Sequence, residues 1–404
     1  MQNLLLERHI VLCVCGGIAA YKSVELLRLF QKASADVKVV MTKSATRFVG
    51  SMTFEAISGH PVFKGMYGSN SDAEMQHISW AEEADAVVIA PATANIIGKL
   101  ANGIADDAMT TFMLAVTAPK IICPSMNTNM YENRAVQRNL DILEGDGFII
   151  VDPGEGELAC GTVGAGRLPE PDYIFDRVAD VFFPKDFKGK KVLVTAGPTR
   201  EFIDPVRFVS NPSSGKMGYA VAKAAADRGA DVILVSGPTA LNTPYGVSRI
   251  DVITAGEMAE AVFAQMDDAD IIIKVAAVSD YTPSEKADHK IKKGEGGISI
   301  KMERTVDILA ELGRRKKNQA LVGFAAETQN LKDNAEKKLK EKNLDMIAGN
   351  LVGEQASGFN SDTNKINLFY KDGSVEELPL MDKVSAAHVL LDRINERIMN
   401  GLGF

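Results

Sequence analysis

Short, continuous apolar runs recur along the chain, separated by segments with helical spacing. In the first half they lie at Ile10–Cys15, Val37–Met41, Ala86–Ala90, Lys120–Cys123 and Phe148–Val151. Between the first two, Ala20–Ala33 carries the Leu26, Leu27, Phe30 stripe of an amphipathic helix. The second half repeats the scheme with runs at Val192–Thr195, Asp231–Ser236, Ile271–Ala276, Leu321–Phe324 and Met346–Ala348, and helices over Tyr219–Arg228 and Met258–Gln265. Runs that do not alternate predict strands buried on both faces, hence parallel sheets with helices on either side. A strand, a glycine loop and a helix start follow one another twice, at His9–Lys22 and at Lys190–Gly218. Leu168-Pro169-Glu170-Pro171 and the Pro184–Gly189 segment bring proline and charge to an exposed connection. The expectation is an α/β protein of two Rossmann-like, three-layer domains with mainly parallel sheets, 1–186 and 187–404.

Composition narrows the function classes. With 46% apolar and 24% charged positions over 404 residues, the chain has the make-up of an ordinary soluble globular protein. A net charge of −8 argues against a general nucleic-acid partner, which needs a basic patch. Cys13, Cys15, Cys123 and Cys160 form no Cys-x-x-Cys pair and read as reduced cytosolic thiols. No apolar run approaches the roughly 20 residues of a membrane span. A cytoplasmic protein with no membrane partner is expected.

Ligands of parallel sheets sit at the carboxyl ends of the strands, so the residues after each run carry the chemistry. After the first come Gly16-Gly17-Ile18-Ala19-Ala20, where glycines either let backbone N–H groups approach an anion or close a tight strand–helix turn. The next run ends in Met41-Thr42-Lys43-Ser44, hydroxyls and a cation suited to a phosphate, with no acidic residue for a dinucleotide ribose. Pro91-Ala92-Thr93-Ala94-Asn95 can line a flat ring or cap a helix, and Asn127 in Pro124-Ser125-Met126-Asn127 can donate to a carboxylate or serve as an N-cap. His77, one of five histidines, reads as structural or catalytic on its own. The glycine-rich segment around Leu158, Ala159 and Cys160 cannot continue as a helix and is expected to be a mobile flap carrying an accessible thiol. In the second half Gly215-Lys216 is not a P-loop, because Ser210 and Met217 stand at the deciding positions. Lys290 lies in a glycine-flanked basic loop, and Lys338 and Lys342 share one helical face. Asp280 follows one strand and Phe324 ends another; solvated surface and core packing remain open for all of these.

Taken in order, G-G-I-A-A-Y-K, A-P-A-T-A-N, P-S-M-N-x-x-M, the His77 segment and L-A-C-G-T-V-G-A-G-R resemble the flavin-containing cysteine decarboxylases, most closely the phosphopantothenoylcysteine decarboxylases. T-A-G-P-T-R-E, D-P-V-R, N-x-S-S-G-K-M-G, A-A-V-S-D, K-I-K-K and V-G-F-A-A-E-T resemble the phosphopantothenate–cysteine ligases. Both halves in this order are similar to the bifunctional enzymes of coenzyme A synthesis, over essentially the whole chain. For the first half the resemblance implies a flavodoxin-like domain in which Gly17, Ile18, Ala19, Thr42, Ser44, Ala92, Thr93, Asn95 and Ser125 hold FMN. His77 would be the base, Asn127 would hold the substrate carboxylate or amide, Cys160 would be the acid, and Leu158 and Ala159 would touch the substrate. A cysteine derivative has no electron sink for decarboxylation, which is why a redox flavin serves a net non-redox reaction.

For the second half the resemblance implies that CTP, with magnesium, activates phosphopantothenate as an acyl-cytidylate that the amine of cysteine attacks. Lys290 would neutralise the pentavalent phosphate, Asn211 would serve the second half-reaction and Arg207 would bind phosphopantothenate. Ala276, Asp280, Thr305, Val306, Asp307, Ile308, Phe324, Lys338 and Lys342 would surround the nucleotide. Three departures stand out: Cys15 where Thr or Ser is usual, Ser125 where alanine is common, and Thr305-Val306 where the ligases have Asn-Pro. The last leaves nucleotide selectivity open. The resemblance also implies a homo-oligomer, with trimers of the first half and dimers of the second building a dodecamer. A peptidyl-cysteine decarboxylase would lack the ligase half, and a non-catalytic regulatory flavoprotein would tolerate loss of His77 or Cys160; both readings fit the chain less well.

Overall fold

In β1 (His9–Val14), Ile10, Leu12 and Val14 face one hydrophobic layer while Val11 and Cys13 face the other. That double burial is what a continuous apolar run encodes. β2 (Asp36–Met41), β3 (Ala86–Ala92), β4 (Lys120–Pro124) and β5 (Phe148–Ile150) complete a parallel sheet of order β2-β1-β3-β4-β5. One face is covered by helices Lys22–Lys32 and Pro171–Ala179, through Leu26, Leu27, Phe30, Ile174 and Phe175. On the other, helices Ala94–Ala101 and Ala108–Ala115 contribute Ile96, Ile97, Phe112 and Met113. The computed structural model describes residues 5–65, 76–157, 163–293, 297–327, 329–351 and 361–399. Contacts divide the chain into two units, Met1–Phe183 and Pro184–Phe404.

The glycine-rich segment expected as a loop is instead an antiparallel hairpin of β6 (Gly154–Glu157) and β7 (Val163–Arg167). Its tip, with Leu158, Ala159 and Cys160, lies outside the described residues.

The second unit contains β8 (Lys191–Ala196), β9 (Arg200–Phe202), β10 (Phe208–Ser210), β11 (Asp231–Ser236), β12 (Val247–Asp251), β13 (Ile271–Lys274), β14 (Tyr281–Pro283), β15 (Met302–Arg304), β16 (Ala320–Glu327), β17 (Met346–Leu351), β18 (Thr363–Asn364), β19 (Asn367–Tyr370), β20 (Val375–Glu377) and β21 (Met381–Asp382). The main sheet has order β12-β11-β8-β13-β16-β17-β19-β20. Its strands run parallel from β12 to β17, as the apolar runs predict, and β19 and β20 then close it as an antiparallel edge that those runs do not announce. β9 pairs with β10, and β14 with β15, in short ribbons that follow the carboxyl ends of β8 and β13. Phe324 lies within β16 rather than at its end. Helices Lys216–Asp227 and Lys383–Ile394 cover one face of this sheet. Helices Ala255–Gln265, Ile308–Arg315 and Leu331–Glu341 cover the other.

Helix Lys216–Asp227 lies so close to β8 that a Cβ on Gly218 would stand 2.5 Å from the Cβ of Ala196. Gly218→Ala is expected to destabilise the second unit by about 1–3 kcal/mol through overpacking. A thermal melt that resolves the two units should show the later residues unfolding several degrees lower and the first unit unchanged.

Candidate functional site

Both sheets place a topological switch between their first strand and the next one on its far side: β1 against β3, and β8 against β13. Strand order reverses there and a crevice opens beyond the carboxyl ends. At the first crevice the expected flavin residues follow their strands directly. Thr42 Oγ1 accepts from Ala45 N at 3.2 Å, and Thr93 caps helix Ala94–Ala101 by accepting from Ile96 N. Gly16 is held by packing, since a Cβ there would be 2.5 Å from Ser44 Cβ. Nothing lies within 4 Å of the corresponding point on Gly17, and no side chain caps the helical turn that it opens at Ile18. That open cradle, beside Ser44 and the Thr93 turn, fits a phosphate-bearing planar cofactor. Ile18 and Asn95 are exposed, Ala19 and Ser125 part-buried, and Ala92 fully buried at the end of β3.

His77 lies on helix Gln76–Glu83, which Trp80 and Ala81 anchor in the core. Its Nδ1 is buried and has no hydrogen-bond partner. A buried ring nitrogen left unsatisfied suits a group that exchanges a proton with a ligand. Asn127 caps helix Thr128–Tyr131, its Oδ1 accepting from Asn129 N at 2.9 Å. The cap uses the oxygen, so capping and donation by the amide nitrogen are compatible. β7 rests on this segment, with Met126 N donating to Gly166 O at 2.9 Å. A Cβ on Gly166 would be 2.3 Å from Met126 O, and φ there is +134°. Glycine is therefore required for the hairpin to reach Asn127. Burial raises the Cys13 thiol and pushes Cys15 up to about 12, so neither is a ready thiolate.

At the second crevice two cavities share a wall. One, of about 310 Å³, is lined by Gly197, Asn211, the Ser213–Gly218 segment, Ala276, Asn350, Asn364 and Lys383. The other, of about 420 Å³, brings together Asp280, Thr305, Val306, Asp307, Ile308, Phe324, Lys338 and Lys342, with Tyr281 and Arg304. Lys274, Val278, Asp280 and Phe324 line both. Lys338 pairs with Glu327 at 2.7 Å and Lys342 with Asp307 at 2.7 Å. Burial opposes ionisation of Asp307, but hydrogen bonds from Lys342 and Ala310 N leave its carboxyl below the usual range. Thr305 Oγ1 donates to Ser279 O at 2.6 Å, fixing the turn before helix Ile308–Arg315.

Asn211 donates through Nδ2 to Ala277 O and Val278 O, both at 3.1 Å, so its oxygen is the atom turned to other use. Arg207 and Lys290 line neither cavity. Arg207 Nη1 reaches the buried Asp204 Oδ2 and Ile291 O, both at 3.1 Å, and Ile291 N donates to the same carboxylate at 3.1 Å. Asp204 and Arg207 thus clasp the loop that carries the exposed Lys290. Sequence reasoning missed Lys274, Arg304 and Lys383. A lysine closing the run Ile271-Ile272-Ile273-Lys274 was the available signal, because a charge at the carboxyl end of a buried strand needs a reason.

Two family descriptions match the chain: "Flavoprotein" over residues 2–183 and "DNA/pantothenate metabolism flavoprotein C-terminal domain" over 187–398. The coenzyme A biosynthesis bifunctional protein CoaBC of Bacillus subtilis (strain 168) is 50% identical over 396 residues, 97% of each chain. The protein of that name from Escherichia coli (strain K12) is 45% identical over 398 residues, covering 97% of this chain and 98% of its own. Among solved structures, the C-terminal domain of such a protein is 47% identical, covers 53% of this chain and 98% of its own, and gives a TM-score of 0.46.

Gly166→Ala is expected to lift β7 from Met126. Trypsin should then cut after Arg167 about tenfold faster than in the parent, in line with local opening made easier by about 1.4 kcal/mol.

Proposed function

The chain belongs to the family of coenzyme A biosynthesis bifunctional proteins, and we propose that its second unit ligates cysteine to 4′-phosphopantothenate while its first decarboxylates the product to phosphopantetheine. The observation that carries the ligase assignment is the pair of cavities with a common wall, one edged by Lys338, Lys342 and Arg304 and the other by Asn211 and the Ser213–Gly218 turn. A nucleoside triphosphate suits the basic cavity and a carboxylic acid the other, so that the acid meets the innermost phosphate at the wall.

CTP is the nucleotide in this reading. The carboxylate attacks the α-phosphorus, pyrophosphate leaves, the amine of cysteine attacks the acyl carbon, and CMP leaves. Asp280, present in both cavities, would give one oxygen to a magnesium ion that arrives with the phosphates. The Asn211 oxygen would accept from the incoming amine. Lys290, on its clasped loop, would add positive charge as the phosphate becomes pentavalent, and Phe324 would pack on the base. Arg207 would act on phosphopantothenate only indirectly, through the loop that it holds.

In the first unit Gly17, Ile18, Ala19, Thr42, Ser44, Ala92, Thr93, Asn95 and Ser125 would hold FMN. Bound FMN supplies reversible two-electron oxidation, the electron sink that a cysteinyl carboxylate lacks. His77 would take the proton of the substrate thiol at Nδ1 or return it there. Asn127 would hold the carboxylate through its amide nitrogen, and Cys160, with Leu158 and Ala159 beside it, would protonate the decarboxylated product.

No helix among the described residues is long and apolar enough to cross a membrane, and a cytoplasmic location accords with the metabolism assigned. Exposed apolar side chains at Ile18, Tyr21, Phe48 and Met52 support a homo-oligomer, built from trimers of the first unit and dimers of the second.

Purified protein should be yellow and release FMN on denaturation; a colourless, stable protein contradicts the decarboxylase assignment. Pyrophosphate release with phosphopantothenate and CTP, ATP or GTP in turn identifies the nucleotide, and CTP should exceed the others by at least about tenfold in kcat/KM. His77→Asn should reduce carbon dioxide release by about 100-fold or more and leave pyrophosphate release intact. Lys290→Gln should do the reverse when phosphopantothenoylcysteine is supplied directly to the decarboxylase.

A further inference from the structure

The cations of the second crevice differ in one respect. Lys338, Lys342 and Lys216 each pair with a carboxylate, at 2.7, 2.7 and 2.6 Å. Lys274 does not. Its Nζ donates to Ala276 O at 3.2 Å, and among the described residues that is its one hydrogen bond. The side chain is part-buried, and the residue belongs to the wall between the two cavities. Among the four residues of that wall it is the only cation. Asp280 and Asp307 act on this ammonium without pairing with it, and a part-buried cation that no carboxylate pairs with is stabilised when an anion arrives to meet it.

We propose that Lys274 is a catalytic residue of the ligase, its ammonium contacting the phosphate at which the carboxylate of the acyl substrate displaces pyrophosphate. The proposal rests on the nucleotidyl-transfer reading of this site. In that step a bond forms between a carboxylate oxygen and the α-phosphorus. The bond from that phosphorus to its bridging oxygen breaks, and the electron pair leaves with pyrophosphate. Lys274 transfers no proton. It donates hydrogen bonds to a non-bridging oxygen whose charge grows in the transition state, in a part-buried place where such stabilisation exceeds that in water. Lys338 and Lys342 lie on the nucleotide side alone, and Asn211 on the acyl side alone.

The surroundings make this cation sensitive to pH. Burial, and then the charge of Lys342, lowers the Lys274 ammonium to about 8; Asp307 and Asp280 oppose the shift and Lys338 adds to it. Arg304 faces the same cavity, and Lys216 and Lys383 face the neighbouring one. Lys383 is also lowered, first by burial and then by Lys216. Below about 8 Lys274 carries its charge and above it loses it, so its contribution fades on the alkaline side.

The test uses full-length Lys274→Met and Lys274→Arg, with single-turnover pyrophosphate release from the nucleotide and phosphopantothenate in the absence of cysteine. Lys274→Met should slow release about tenfold or more with less than about a threefold change in nucleotide KM. Lys274→Arg should recover part of the rate and lose the alkaline decline in kcat/KM expected near 8 for the parent, since a guanidinium stays charged there. A methionine variant as fast as the parent, a loss confined to KM, or an arginine variant that keeps the alkaline decline overturns the proposal. Calorimetric titration with CMP, which keeps the phosphate that Lys274 contacts, supplies a readout apart from turnover: binding should weaken in the methionine variant, and equal binding also overturns it. A parent protein that releases no pyrophosphate from any nucleotide would refute the ligase reading itself, and the titration then still decides whether Lys274 meets a phosphate.

Discussion

The hydroxyl of Thr195 sits where the ligase crevice begins. It is fully buried and accepts from Val275 N and Ala276 N, both at 3.1 Å. Up to the pair Lys274–Thr195, β13 and β8 run in register. The next two N–H groups of the β13 segment would otherwise be without partners. Thr195 satisfies both, and the segment then rejoins the end of β8 in the same register, with Ala277 N donating to Gly197 O at 2.9 Å. Lys274, one residue before the two N–H groups, is held in place by its rung with Thr195.

The same logic orders what surrounds that point. Polar groups collect at the carboxyl ends because every other part of these strands is covered on both faces. The ribbons β9–β10 and β14–β15 grow from the same ends and carry the remaining pieces with them. Pro198 and Ala277 form a bridge, Ser279 N donates to Thr199 Oγ1 at 3.0 Å, and Asn211 returns to the carbonyls of residues 277 and 278. Asp204 then fastens the Lys290 loop to the first ribbon. Groups from distant parts of the chain are thus held beside the crevice by hydrogen bonds between side chains and the backbone.

What could be read from the chain follows from this division. Apolar runs report burial, and burial on both faces specifies parallel strands, so both central sheets were legible; that Asp280, Thr305, Asp307, Lys338 and Lys342 belong beside one cavity was implied only by the resemblance to the ligases. The hairpin of β6 and β7 was not. Its glycines carry no apolar signal, and their necessity appears only when Met126 O is found 2.3 Å from where a Cβ would stand. The β19–β20 edge was missed although Asp372-Gly373 is a turn signal, because the strands that it joins are short and Val375 is exposed. Arg207 illustrates a different limit. Its charge announced an anion, and the anion that it meets in this structure is Asp204 of its own chain. Which partner a cation takes depends on the fold, not on its motif.

The two units turn one architecture to opposite electrostatic ends. In the first, the ends of β1, β3 and β4 are small or apolar, the thiols Cys13 and Cys15 are held protonated by burial, and two buried polar atoms without partners among the described residues, His77 Nδ1 and Thr128 Oγ1, belong to helices beyond the sheet. An environment of that kind suits a neutral planar ring and leaves proton transfer to groups that approach from outside. In the second, a lysine ends the central strand and further lysines line the walls on either side. Lysines gathered around a cavity, even where most pair with carboxylates, favour a strongly negative ligand over a neutral ring. The charge at the strand end, rather than the fold, is therefore what distinguishes the two crevices.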